Sequence, residues 1–373
     1  LFSTEQIGLA TTLISVMGLI TSFSMLGLGV GLIRYLPKSE RKNDKINTCF
    51  TLVTIVTIIV STVFLLGLRV FSPKLLFIRE NLVLAFIFIF FMIVSGAGSL
   101  IESLFIAYRN TKYVLIKNTI FSILKIALLF FFVGFGAYGI FSSYVIAMLL
   151  GVVTVFIALM HKFDYRPRFI FYDSVIKKIG KYSFGNYVAG FIGSLPVLLL
   201  PIIITNRLHP EFTAYYYMAM SIAAALFIIP NATANSLFAE GSYDEENLER
   251  QVKKSSKIIF LLIIPAIILV LALGKYVLLL FGQDYSANGS MLLNLLVISG
   301  IFIGANSIFG SLFRVKHRIK ELIFISILGT IAILSLSYIL LNRGLLGIGY
   351  AWIIGQALIS IVYGVVWGWE RQK

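Results

Sequence analysis

The sequence predicts an all-α polytopic membrane protein of two six-helix lobes, the first of them lacking its leading helix. Three observations predict it. Hydrophobic residues fill 59% of the 373 positions and charged residues only 13%, about half the charge share of an ordinary soluble domain. Continuous apolar runs such as Ile258–Leu273 suit spanning helices of about 20 residues. They exclude the alternating segments of about 10 residues that build a membrane β-barrel. Finally, the 31 basic residues gather at alternate ends of these runs. Mean hydropathy is +0.97, so the solvent for most of this surface is lipid. The lone Cys49 excludes an intrachain disulfide, and His161, His209 and His317 are too scattered to suggest a multi-histidine metal centre.

Eleven stretches qualify as spans, each long and apolar enough to cross the hydrocarbon. The first, 8–33, precedes five basic residues, and the second, 46–67, precedes Arg69, Lys74 and Arg79. The third, 81–107, is followed by Arg109 and Lys112, with Lys117 near the same end of the fourth, 113–133, which also holds Lys125 and is followed by none. Six follow the fifth, 138–160, whereas Arg207 alone follows the sixth, 182–205. Arg250, Lys253 and Lys254 follow the seventh, 214–238, with Lys257 at the start of the eighth, 257–281, whose far end brings only Lys275. Four more follow the ninth, 289–311, and Arg343 follows the tenth, 321–341. The eleventh, 345–368, ends in a tail with two. One side therefore collects 24 basic residues and the other 6. By the positive-inside rule the richer side is cytoplasmic, which places residue 1 outside and Lys373 in the cytoplasm of a cell-membrane protein. The net charge of +15 is thus a topology signal and calls for no nucleic-acid partner. The longest gaps, 161–181 and 239–256, are too short for an extramembrane catalytic module. No P-loop is present, so an enzyme or ATPase is not expected.

The chain also repeats itself. At an offset of 208, Ser103-Leu104-Phe105 matches Ser311-Leu312-Phe313, Lys112 matches Lys320, and Gly136, Gly139 and Ile140 match Gly344, Gly347 and Ile348. From Ser103 to Ile146 there are 10 identities in 44. Both copies run in the same sense, so the repeat is parallel, which implies a pseudo-twofold axis along the membrane normal. The expected lobes are residues 1–160, with five spans, and 161–373, with six. The start at Leu1 and the odd count lead to the expectation of a fragment short of one helix.

Several segments resemble one family. They are Thr4-Glu5-Gln6-Ile7-Gly8-Leu9, Leu26-Gly27-Leu28-Gly29, Arg34-Tyr35-Leu36, Pro230, Phe238-Ala239-Glu240-Gly241 with the charged stretch Asp244 to Lys254, and Leu280 to Tyr285. On these the chain is similar to the polysaccharide flippases (the O-antigen flippase type) of the multidrug/oligosaccharidyl-lipid/polysaccharide exporter superfamily. The resemblance implies twelve or more spans, cargo carried between two six-helix lobes, and no cofactor beyond a coupling cation, Na+ or H+. It implies as partners a lipid-linked oligosaccharide, membrane lipid and polysaccharide assembly proteins.

A charge inside the hydrocarbon is costly and is by default a functional hypothesis. Glu102 and Lys125 flank a hairpin centred near Tyr113, each about 10 Å inside a helix end, a depth that permits a salt bridge. Either they neutralise each other, with Lys125 free to snorkel, or they line a polar cavity. In the second case Lys125 meets pyrophosphate and Glu102 gates or binds a cation. Arg34 anchors the first span's end or makes the first contact with a lipid phosphate. Asn186, Asn231, Asn235 and Asn306 lie within spans, where an amide bonds a neighbouring helix or a sugar hydroxyl. Pro196, Pro201, Pro230 and Pro265 interrupt helices, as kinks for packing or for rocking. Asn288-Gly289 reads as a turn, and Asp244 to Lys257 as a short amphipathic surface helix. The expected function is alternating-access export of a polyprenyl-linked oligosaccharide. The alternative is cation-coupled multidrug export, which an acidic cavity favours.

Overall fold

Apolar runs separated by short polar connections leave the backbone one way to satisfy its amides in lipid, which is helix. The computed structural model describes residues 2–37, 39–244 and 246–368, except for the side chains of 173–184 and 186. Eleven helices among the described residues are long and apolar enough to cross a membrane, and no strand occurs among those residues. The chain divides into two units, Leu1–Phe191 and Ile192–Lys373.

The first unit opens with α1 (Thr4–Ser24), started by a capping box in which Ser3 and Gln6 bond each other's backbone amides. The single span expected over 8–33 is broken. Leu26 and Gly27 take positive φ values of 47° and 76°, and a separate helix, α2 (Leu28–Tyr35), follows. The break leaves the Ser22 carbonyl without its usual amide partner and the Phe23 carbonyl with that of Leu26 at 3.3 Å. The Tyr187 hydroxyl bonds both, at 2.7 Å and 2.9 Å from those carbonyls. Then come α3 (Lys42–Leu66), α4 (Leu82–Ala107), α5 (Lys112–Phe131) and α6 (Gly136–Lys162). Helix α7 (Asp173–Arg207) runs across the division between the units.

Beyond α6 the chain runs extended along α3, and two asparagines one turn apart hold it there. Asn43 donates to the Asp164 carbonyl at 3.0 Å and accepts from the Arg166 amide at 3.2 Å. Asn47 donates to the Arg166 carbonyl and accepts from the Arg168 amide and the Tyr165 hydroxyl, at 2.9, 3.0 and 2.7 Å. Burial raises the Tyr165 phenol well above its ordinary range, which keeps it a donor. Beside this clamp, Phe105 stacks on Tyr113 at 4.8 Å and Phe163 packs on Tyr108 at 4.6 Å. Lys42, Lys112 and Lys162 lie over these rings, so the basic end of the unit is an aromatic plug with cations on its surface. Replacing buried Asn47 by Ala orphans three partners at once. The expected cost is about 2 kcal/mol, read as a lower unfolding temperature in detergent together with faster amide exchange at Arg168.

The second unit continues with α8 (Pro210–Tyr243), α9 (Leu248–Leu279), α10 (Gln283–Ile298), α11 (Gly300–Val315), α12 (Ile319–Ile339) and α13 (Leu345–Gly368). Two local expectations are corrected here. Residues Leu248 to Lys257 are the opening turns of α9 rather than a separate surface helix, because nothing between them and Ile258 breaks the helix. Asn288 and Gly289 lie inside α10, where Asn288 bonds back to the Asp284 carbonyl. All four prolines sit inside continuous helices.

The repeat reappears in backbone geometry. Arg109 and His317, 208 residues apart, take φ values of 54° and 56°. Each closes a Schellman cap, with Asn110 N bonding Phe105 O and Arg318 N bonding Phe313 O, both at 2.8 Å. Gly136 and Gly344 share φ values of 54° and 62°, after matching 3-10 turns at Val133–Phe135 and Leu340–Arg343. The copies differ in where a span breaks. The α1–α2 break has no counterpart in the continuous α8, whereas α4 is continuous and α10–α11 is broken.

Candidate functional site

The Glu102–Lys125 salt bridge that the sequence permits does not form. Glu102 on α4 meets Lys117 on α5, with Nζ and Oε1 2.5 Å apart. Lys125 has no ion-pair partner among the described residues and instead lies 5.0 Å over the Phe121 ring one turn earlier. The reason is the position of the reversal. The hairpin turns at Arg109, not near Tyr113. Glu102 is five residues before the end of α4 and Lys117 five residues after the start of α5, so both lie about 7.5 Å inside their helices. Lys125 is eight residues further along α5, about 12 Å deeper. Equal distance from the true turn was the signal that would have singled out Lys117.

The pair is asymmetric. The Lys117 side chain is 8% exposed and that of Glu102 38%. Gly151 on α6 makes room for the lysine, since a Cβ there would lie 2.9 Å from the Lys117 carbonyl and 3.2 Å from its Cγ. A buried ammonium this close to a carboxylate is held by it; a carboxylate this open can still meet water or a ligand. Among the described residues, Glu102 is also the one acidic side chain placed deep within a span. The others lie in first turns, near helix ends or in connections.

The remaining predicted residues divide by environment. Arg34 ends α2, exposed, with its guanidinium 5.7 Å over the Tyr35 ring. Asn186 lies outside the described side chains. Asn231 and Asn235, one turn apart on α8, are exposed and make no hydrogen bond among the described residues. They share a face of α8 with exposed Ser221 and Ala224, and with Ile228, which is 65% exposed. Bare amides are costly against hydrocarbon, so the two asparagines suit contact with water, ligand or another polar surface.

Asn306 behaves differently. Its Nδ2 donates to the Gln356 carbonyl and to Gln356 Oε1 at 3.1 and 2.9 Å, and its Oδ1 accepts from Ser360 at 2.7 Å. This chain ties α11 to α13 and borders a cavity of about 180 Å³. Gln356, an amide in an otherwise apolar run, was visible in the sequence and carries as much of the network as Asn306. Pro196 also faces this cavity. Lacking an amide hydrogen, it leaves the Ile192 carbonyl without its helical donor. The Thr330 hydroxyl supplies one at 2.7 Å.

Known proteins place this architecture. An inward-facing MATE-family multidrug resistance transporter of the MOP superfamily matches over 99% of this chain and 91% of its own, with TM-score 0.75 and 17% identity. The lipid II flippase MurJ, in an inward closed conformation, matches over 97% and 81%, with TM-score 0.79 and 12% identity. These likenesses show the fold alone: a multi-pass helical fold like that of those two transporters. In sequence, a putative O-antigen transporter of Shigella flexneri is 28% identical over 187 residues, 48% of this chain and 45% of that protein. The aligned stretch thus spans less than half of that relative. The family model described as polysaccharide biosynthesis protein matches residues 1–238, and the chain belongs to that family.

Proposed function

We propose that this protein is a flippase that carries a polyprenyl-linked oligosaccharide across the cytoplasmic membrane by alternating access, for cell-surface polysaccharide biosynthesis. It works as a transporter rather than an enzyme, with its C-terminus in the cytoplasm, and hands cargo to polysaccharide assembly proteins. Membership of the polysaccharide biosynthesis family supports this reading. The observation that carries it is electrostatic. An exporter of organic cations needs unopposed acid within the membrane, yet the one deep acidic side chain among the described residues, Glu102, is neutralised by Lys117. What is left is the pair of exposed α8 amides, suited to sugar hydroxyls, while Lys117 can meet pyrophosphate once Glu102 releases it.

The pair sets the order of events. While Glu102 holds Lys117, a cargo phosphate has to compete for the ammonium. Uptake of Na+ or H+ by the half-open carboxylate releases the lysine to the phosphate, which couples a cation to cargo binding. Arg34, at the end of α2, makes the first contact with lipid phosphate. The test is complementation of a flippase-null strain, beside efflux of organic dyes by the same cells. Restored surface polysaccharide with unchanged dye retention is expected. Dye export without polysaccharide would establish the multidrug reading instead.

A further inference from the structure

The cavity between α7, α11, α12 and α13 in the second unit has an uncharged lining with hydrogen-bonding groups to spare. Gln356 Oε1 accepts from Asn306, and Asn306 Oδ1 from Ser360. The Trp352 indole lies on the lining, 5% exposed. Gln356 Nε2 and the hydroxyls of Ser326 and Tyr363, all on the lining, make no hydrogen bond among the described residues. An amide or hydroxyl left unpaired away from water is unfavourable by the loss of its hydration, so a group that both donates and accepts suits this lining.

Charge narrows the choice. No Lys, Arg, Asp, Glu or His lines the cavity, so neither an anion nor a bare cation finds a counter-charge there. Water fits, and so does a neutral polyhydroxyl group. At roughly 30 Å³ per water, 180 Å³ admits about six waters or one small ring in their place. The indole of Trp352 and the phenol of Tyr363 add apolar faces of the kind on which a sugar's C–H surface packs. We propose that this cavity is a binding site for one neutral sugar ring, held through its hydroxyls by Gln356 and Ser326 with its apolar face on the Trp352 indole. The inference rests on the oligosaccharide reading above and assigns a sugar contact to the interior of one unit.

The test uses the full chain, purified in detergent, with Trp367→Phe and Trp369→Phe so that Trp352 is the remaining tryptophan. Its fluorescence is titrated with the methyl pyranosides of glucose, galactose and mannose, with N-acetylglucosamine, and separately with NaCl. Sugars are raised to about 100 mM, which saturates even a millimolar site. At least one sugar is expected to give a saturable change, weakened tenfold or more by Gln356→Leu and by Ser326→Ala. The serine variant leaves the Asn306–Gln356–Ser360 chain intact, so a folding defect in the first does not decide the matter. Silence from every sugar, a response to NaCl alone, or affinities unmoved by both variants would overturn the proposal. Proteoliposome translocation of lipid-linked oligosaccharide by the same protein separates the two readings. Translocation with a silent cavity leaves the flippase reading standing and removes this one.

Discussion

Lys117→Met is expected to leave the protein about as stable as the parent while abolishing surface polysaccharide in the complementation assay. Glu102→Gln is expected to cost about 3 kcal/mol of stability, the low end for breaking a buried ion pair from one side. The difference follows from exposure. Removing the carboxylate charge strands an ammonium that is 8% exposed, whereas removing the ammonium leaves a carboxylate that is 38% exposed and still hydrated. A methionine also fills the volume of the lysine stem against Gly151, so the change to Met is expected to stay within about 1 kcal/mol. Thermal unfolding of both variants in one detergent measures the first contrast. The exchanged pair Glu102→Lys with Lys117→Glu is expected to recover part of the stability of the single variants. If Lys117→Met restored polysaccharide to the parental level at normal expression, the lysine would be a packing element with no part in transport.

Alanine at Gly139 or Gly347 is the second large effect expected. These residues stand 208 apart, each three residues after a glycine of positive φ. A Cβ at Gly139 would fall well inside the contact radius of the Phe132 carbonyl oxygen, and one at Gly347 inside that of Leu340. Both obstacles are backbone, which a side-chain rotation cannot relieve. The cost is expected near 3 kcal/mol, the upper end for overpacking. Gly364 is the control: it lies inside α13 with nothing within 4 Å of its missing Cβ. Alanine there is expected to stabilise by up to about 1 kcal/mol through helix propensity alone. Unfolding temperatures of the three variants check both signs at once. Equal, small changes at all three would mean that the tight α5–α6 and α12–α13 turns are not the close contacts described.

The sequence by itself determined the spanning architecture and the repeat, because both are written in local quantities. A run of apolar residues is a helix in lipid whatever its neighbours do, and Gly136 and Gly344 announce their turns through a backbone conformation that few other residues adopt. The register of 208 therefore carries over to matching Schellman caps without any tertiary knowledge. Only the tertiary structure decided which polar groups meet. A shift of the α4–α5 reversal from Tyr113 to Arg109 changed the partner of Glu102 from Lys125 to Lys117. Partners across a hairpin depend on the turn's position at twice its error, and no single helix contains that information. The same holds for Asn306, whose network needs Gln356 brought alongside from 50 residues away. The break at Leu26 hid for a related reason: the Ser22 carbonyl that it orphans is satisfied by Tyr187, over 160 residues along the chain. Hydrophobicity sorts residues into lipid and out of it; hydrogen bonds and ion pairs, which act only within a few ångströms, wait for the helices to pack.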